Sequence, residues 1–334
     1  MTTHLRPPLH RLRAALAALL AVIIGTAVLT ACGGDEKAKD EGKAAAGTGF
    51  PRSVTHAMGT TEIKQKPKRV VVLDTGELDD VTMLGIEPVG AVSPHMKTEG
   101  GFPQYLSAKT KNTKDVGPMA EPNIERIISL RPDLILSSKV RHAKVYDRLK
   151  GIAPTVFTET TGAPWKENLK VHAKALGLEK EAETAMSAYE KRAKTLGEEI
   201  KKKNDGTMPT ASVVRFVAGP TRLYQKASFS GVVLSDTGLR RPASQDVDAP
   251  MTDVSPEQID KADADLVFVT VADDPEKTQQ SAVQDNPLWK GLGAVKNDKV
   301  VQVPDETWMS GIGIQAANRV VDDIAKAAGV DAPK

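Results

Sequence analysis

The longest apolar run of the chain lies near its start, where residues 14–29 are interrupted only by Gly25 and Thr26. Sixteen residues fall short of the roughly 20 that a helix needs to cross a bilayer. Arg6, Arg11 and Arg13 precede the run, and residues 1–31 hold no acid; this pattern predicts a signal peptide over 1–31. Residues 33–49 are almost wholly Gly, Ala, Lys, Asp, Glu and Thr. They offer nothing to bury and predict a flexible tether. Beyond it the pattern changes to short β-branched runs alternating with amphipathic stretches. Residues 68–73, 89–92, 133–136 and 155–157 read as buried strands. Residues 77–84, stopped by Gly85 with Pro88 beyond, and residues 123–130 and 146–150 read as helices. Strands alternating with helices predict a parallel α/β architecture.

The pattern then recurs. Glu125 and Asp133 are matched by Glu257 and Asp265 at one offset of 132 residues, each pair within a short helix followed by an apolar strand. Residues 212–216 serve as the first strand of the second copy and 232–239 as its first helix. Between the copies, residues 165–204 are rich in Ala, Leu, Glu and Lys with one break near Gly177. Within them, 179–203 suits a helix of about 37 Å at 1.5 Å per residue. The expected organisation is a signal peptide (1–31), a tether (32–49), an N-terminal lobe (50–164), a connecting helix (165–205) and a C-terminal lobe (206–334).

Composition narrows the function. The 334 residues carry 45 basic and 43 acidic side chains, and 26% charge is usual for a soluble body. The near-neutral balance gives no reason to expect nucleic acid. One cysteine excludes an internal disulfide, a thiolate zinc site and a single-chain iron–sulfur cluster. No phosphate loop, dinucleotide fingerprint, nucleophile elbow or zinc-protease helix is present. The six histidines show no helix-face pairing and the four tyrosines no cluster, so no direct metal site and no cofactor are expected. An exported hydrolase and a purely structural surface protein remain as rival classes.

The single cysteine closes the apolar run in Leu29-Thr30-Ala31-Cys32-Gly33. This resembles a bacterial lipobox, which implies lipidation of Cys32, export, and anchoring on the outer face of the cell membrane. The body carries Pro67-Lys68-Arg69-Val70-Val71, Leu84-Gly85-Ile86-Glu87-Pro88-Val89-Gly90, Arg131-Pro132-Asp133-Leu134-Ile135, Ile152-Ala153-Pro154-Thr155-Val156 and Asn286-Pro287-Leu288-Trp289. With Cys32, these resemble the substrate-binding lipoproteins of iron–siderophore ABC importers, and among them the ferrioxamine (hydroxamate) binders of streptomycetes. The resemblance implies two pseudo-symmetric lobes with central, mostly parallel sheets and a long rigid inter-lobe helix, the siderophore/cobalamin-type periplasmic-binding-protein fold. It implies a monomer that holds a ferric siderophore between the lobes and delivers it to a membrane permease. The same fold with haem, cobalamin or ferric citrate is the alternative.

A ferric chelate surrounds iron with its own oxygens, so the protein need supply only hydrogen-bond donors and flat apolar surface. Arg215 is the first candidate donor, because it interrupts the apolar stretch 213–217, where a charge is costly without a partner. Arg141 and Arg222 follow. Trp165, Trp308, Tyr224 and Phe229 are the candidate surfaces. Glu125 and Glu257 each fall at the second position of a helix behind a good N-cap, Asn123 or Ser255. The resemblance gives this pair the role of docking onto permease arginines.

Overall fold

The computed structural model describes residues 49–94 and 101–334, so the signal segment, Cys32 and tether residues 33–48 lie outside the described residues. The body opens with an antiparallel hairpin, β1 (Arg52–His56) and β2 (Gly59–Ile63). Five parallel strands follow: β3 (Val70–Val72), β4 (Gly90–Ser93), β5 (Lys114–Pro118), β6 (Leu134–Ser138) and β7 (Thr155–Thr158). Their spatial order is β5-β4-β3-β6-β7. Helices α1 (Thr75–Met83), α2 (Ile124–Ser129), α3 (Lys139–His142) and α4 (Tyr146–Lys150) connect them. Two helices then lead away, α5 (Trp165–Leu176) and α6 (Glu179–Lys203). Gly177 caps α5 at φ 70° with the Phe50 ring against it, a left-handed position that a side chain would strain.

The second sheet contains β8 (Ala211–Phe216), β9 (Thr221–Tyr224), β10 (Met251–Val254), β11 (Leu266–Val271) and β12 (Val300–Gln302). Its order, β10-β9-β8-β11-β12, repeats that of the first sheet, with the earliest strand central. The copies differ at one strand: β9 runs antiparallel to both β8 and β10. Helices α7 (Phe229–Asp236), α8 (Gln280–Asp285), α9 (Pro287–Gly291), α10 (Gly293–Lys296), α11 (Asp305–Trp308) and α12 (Ile314–Ala328) complete the chain. The fold expected from sequence is therefore present, with the repeat visible as strand order.

Both sheets are apolar on both faces, as sheets covered by helices on both sides must be. Val71, Leu73 and Ile135 bury one face of the first sheet, and Val214, Phe216 and Val267 one face of the second. The opposite faces, with Val70, Val72, Val213 and Phe268, join a single core shared with α6, α7 and α12. This shared core takes three of the aromatic side chains expected at the ligand. Trp165 is 1% exposed and packs edge-on against Tyr189 and Phe229, with ring centroids 5.3 and 5.7 Å apart. Trp308 is fully buried, stacks on Phe268 at 4.4 Å, and donates its indole N–H to Asp323. Trp165, Trp308 and Phe229 are therefore corrected from ligand surfaces to core. Each begins or ends a helix that abuts the shared core, and burying a large ring there takes much apolar area out of water.

A buried polar contact helps to fix how the lobes meet. The residue at the N-cap of α12 is Gly313, which has no side chain to cap the helix. Asp79 of α1 supplies the cap across the lobe boundary: its carboxylate accepts the backbone N–H groups of Gln315 and Ala316, both at 3.0 Å. It also accepts the Tyr105 hydroxyl at 3.0 Å. Gln315 returns its side-chain amide to the Asp79 carbonyl and the Thr82 hydroxyl. Gly313 is extended (φ −173°), so what requires glycine is proximity: a Cβ would collide with the Asp79 carboxylate.

Candidate functional site

The C-terminal ends of the central strands of both sheets point to the same inter-lobe region, where open α/β sheets place their ligands. In the N-terminal lobe, Asp74 follows β3 and caps α1 through the Thr75 N–H at 2.7 Å. Arg141, in α3 just after β6, donates from Nε to Asp74 Oδ2 at 2.8 Å. The Asp74 side chain is fully buried, whereas that of Arg141 is 33% exposed. The carboxylate thus fixes the stem of the guanidinium while part of the fork meets solvent.

The C-terminal lobe repeats the device. Arg215 is the penultimate residue of β8, the central strand, so it does not lie on the solvent side of an edge strand. It forms a bidentate pair with Asp305, Nε to Oδ1 at 2.6 Å and Nη2 to Oδ2 at 2.8 Å, the strong geometry for this pair. Its Nη1 donates to the Tyr224 hydroxyl at 2.9 Å. Burial by itself lowers the Arg215 pKa, but Asp305 and then Tyr224 more than offset it and leave it above its ordinary value. Thr270 on β11 donates to Asp305 at 3.1 Å. On β9, Arg222 faces Arg215 across the ladder and lies 3.3 Å from Asp253 of β10.

The two Arg–Asp pairs are joined. The Thr75 hydroxyl lies 3.2 Å from Asp74 Oδ1 and donates to the Ser310 carbonyl, and the Ser310 hydroxyl donates to Asp305 Oδ2 at 3.0 Å. The chain Arg141–Asp74–Thr75–Ser310–Asp305–Arg215 therefore crosses from one lobe to the other. Gly76 permits the approach, since a Cβ there would sit 3.1 Å from the Ile312 carbonyl. A groove of about 430 Å³ elsewhere, between α5 and α6, has an apolar floor of Leu169, Ala173, Ala182 and Met186. It lies on helices away from the strand ends and contains no arginine.

Four predicted residues thus gather near the strand ends: Arg141, Arg215, Arg222 and Tyr224. Sequence reasoning missed Asp74, Asp305, Thr75 and Ser310. Asp74 carried a signal, since an acid directly after a buried β-branched run needs a partner. Asp305 and Ser310 carried none, because their roles depend on register between distant segments.

Glu125 and Glu257 occupy equivalent places. Each is exposed and lies in the helical turn that leaves an edge strand, β5 or β10. Asn123 caps the first turn through the Arg126 N–H at 3.0 Å. The second is a 3-10 turn with Pro256 at its first position, where Ser255 and Gln258 form a capping box. The Ser255 hydroxyl and the turn's own backbone N–H hold the Glu257 carboxyl below its ordinary pKa. Since β5 and β10 run in the same sense as the central strands of their sheets, both glutamates emerge on the side of the lobes that bears the arginines.

Comparison with known proteins identifies the family and the fold. A family model described as "Periplasmic binding protein" matches residues 70–307. The chain is 38% identical over 321 residues to a probable siderophore-binding lipoprotein, YfiY, of Bacillus subtilis, covering 92% of this chain and 95% of the relative. It is 30% identical to the Fe(3+)-citrate-binding protein YfmC of the same organism, over 93% and 96% of the two chains. The solved structure of Staphylococcus aureus SirA complexed with staphyloferrin B superposes with a TM-score of 0.77 at 38% identity, covering 84% of this chain and all of SirA.

Proposed function

The chain belongs to the periplasmic binding protein family, and from that premise we propose that it is the lipid-anchored receptor of an ABC importer, binding a ferric siderophore between its lobes. The relatives named for siderophore and ferric citrate binding, and those named as lipoproteins and ABC-transporter components, support this reading. The observation that carries it is the pair of carboxylate-held arginines, one per lobe, joined through Thr75 and Ser310. Such forks are donors of fixed direction for the outer oxygens of a chelate. Tyr224, beside Arg215, gives a half-buried ring with a polar tip.

The preferred cargo is a hydroxamate chelate of the ferrioxamine type. Three hydroxamates neutralise ferric iron, so the chelate core presents oxygens without net charge. Every arginine gathered here already faces a carboxylate: Arg141 with Asp74, Arg215 with Asp305, Arg222 with Asp253. Such a surface offers donors without a strong positive field. A haem reading lacks support in the described histidines. His142 is engaged at both ring nitrogens by Ser137 and Met119, His172 pairs with Asp80 inside the core, and His56 bonds Thr61. Glu125 and Glu257 are the docking points for the permease, and Cys32 carries the lipid.

The test is thermal unfolding of the purified protein against ferrioxamine B, ferrioxamine E, ferric citrate and haem. A ligand at about 100 times its Kd adds about 2.7 kcal/mol to stability, which raises the melting temperature by several degrees. Ferrioxamines are expected to give the largest rise. Arg215→Ala should weaken their binding at least tenfold by calorimetry. A panel in which no ferric chelate raises the melting temperature would reject the receptor reading.

A further inference from the structure

The carboxylates behind the arginines do more than orient them. Each is closely paired with its arginine: Asp74 Oδ2 is 2.8 Å from Arg141, and both Asp305 oxygens hold Arg215. Both aspartate side chains are fully buried, whereas the arginines retain 33% and 16% of their side-chain exposure. A ligand therefore meets guanidinium N–H groups, while the compensating charge stands directly behind them, out of its reach. Most neighbouring cations are likewise paired, the exception being the part-buried Arg241, which bonds the Tyr224 carbonyl and Gln245 rather than a carboxylate. Arg222 faces Asp253, Lys226 faces Asp246, and Lys139 faces Glu159. Donor geometry and net charge are thus set by different residues. Arginine provides the first and aspartate cancels the second.

We propose that Asp74 and Asp305 are specificity-determining residues, which make the inter-lobe site select ferric chelates of low net charge over anionic ones. This rests on the receptor reading above. An uncharged chelate gains the hydrogen bonds in full and loses little without a positive field. An anionic carboxylate or catecholate chelate meets the same donors, but each added negative charge also feels a buried carboxylate close behind them. Through a partly solvated protein medium, one unit of site charge acting on one unit of ligand charge at such range changes affinity about tenfold.

The test compares the purified protein with Asp305→Asn, Asp74→Asn and Asp305→Glu. Calorimetric Kd values are measured for ferrioxamine E, which is uncharged, and ferric citrate, which is anionic, at low and high salt. Both Asn variants keep the shape of the side chain and part of its hydrogen bonding. Each is expected to raise the affinity for ferric citrate relative to ferrioxamine E about tenfold, with the gain shrinking at high salt. Asp305→Glu keeps the charge and is expected to keep the wild-type ratio. A merely structural role would lower both affinities together, and an unchanged ratio in both Asn variants overturns the proposal while leaving the receptor reading intact. If one Asn variant does not fold, the other decides. Failure of the wild type to bind either chelate rejects the receptor reading and this proposal with it.

Discussion

Asp79 is where a single substitution should tell most about how the lobes hold together. Its carboxylate is fully buried and accepts three hydrogen bonds, from the Gln315 and Ala316 N–H groups at the start of α12 and from Tyr105. Burial raises its pKa, although the two helix N–H groups, Tyr105 and Gln315 pull the other way. Asp79→Ala removes a helix cap, worth about 0.5–2 kcal/mol. It also strands buried donors, at about 1–3 kcal/mol for each one that water does not reach. Relief of the buried charge returns part of this, so a net loss of about 3–5 kcal/mol is expected, with Asp79→Asn intermediate because one amide oxygen remains as an acceptor. Gly313→Ala attacks the same contact from the other lobe, since its Cβ would collide with the carboxylate. Once Asp79 is alanine that collision is gone, so the double variant should be more stable than the sum of the single losses predicts, by about 1 kcal/mol or more. Urea unfolding followed by tryptophan fluorescence suits the measurement, because Trp165 and Trp308 lie in the shared core. Hydrogen exchange over residues 313–318 should accelerate in Asp79→Ala ahead of the β-sheets. Additive losses in the cycle, or unchanged exchange at Gln315 and Ala316, would refute the cross-lobe cap.

Two further outcomes follow from the same structure. Burial, then the Asp74 charge, pushes the Glu77 pKa from 4.5 up to about 7, with His172 opposing and Asp80 reinforcing the rise. Between those values the folded protein keeps a proton that the unfolded chain has released, so this group's contribution to stability falls as pH rises, by up to about 3 kcal/mol. Glu77→Gln should therefore gain stability over wild type as pH goes from 5 to 8. His172, whose pKa burial lowers, acts with the opposite sign below 6.5 in both proteins; parallel stability curves would show that Glu77 does not titrate as described. For the exposed pair, changing Glu125 and Glu257 together to arginine should abolish uptake of radiolabelled ferric siderophore by cells and leave its affinity in solution unchanged. Uptake at the wild-type rate would remove both residues from the docking surface.

What could be read from the sequence divides along a physical line. Strand and helix positions repeat at short range, so the β-branched run at Val70–Val72 and the capped turn at Asn123 showed through directly, as did the shared offset of Glu125 and Glu257. The hairpin β1–β2 and the edge strand β5 did not, because their burial is partial and their residues mix polar with apolar. Arg215 was legible for an energetic reason: a charge inside an apolar strand demands a counter-charge, and Asp305 is that counter-charge. Where the counter-charge comes from was not legible, since it stands 90 residues away and enters through the register of β8, β11 and β12.

The tryptophans failed for the opposite reason. In a sequence, a tryptophan beside a loop has two roles that look alike, ligand platform and core anchor, and composition does not separate them. The structure does, through what the indole touches. Trp165 meets Tyr189 and Phe229, and Trp308 meets Phe268 and Asp323. Trp165, on α5, packs against Phe229 of the C-terminal lobe and so ties the lobes together, whereas Trp308 anchors α12 to β11 within the C-terminal lobe. Two of the three tryptophans thus serve the shared core, and under the proposed function the recognition of cargo falls to arginine forks held by buried carboxylates. A site built from directed donors on rigid walls needs little lobe closure to recognise a rigid, preformed chelate. A receptor for a flexible ligand would need the reverse: movable walls and aromatic surface at the cleft.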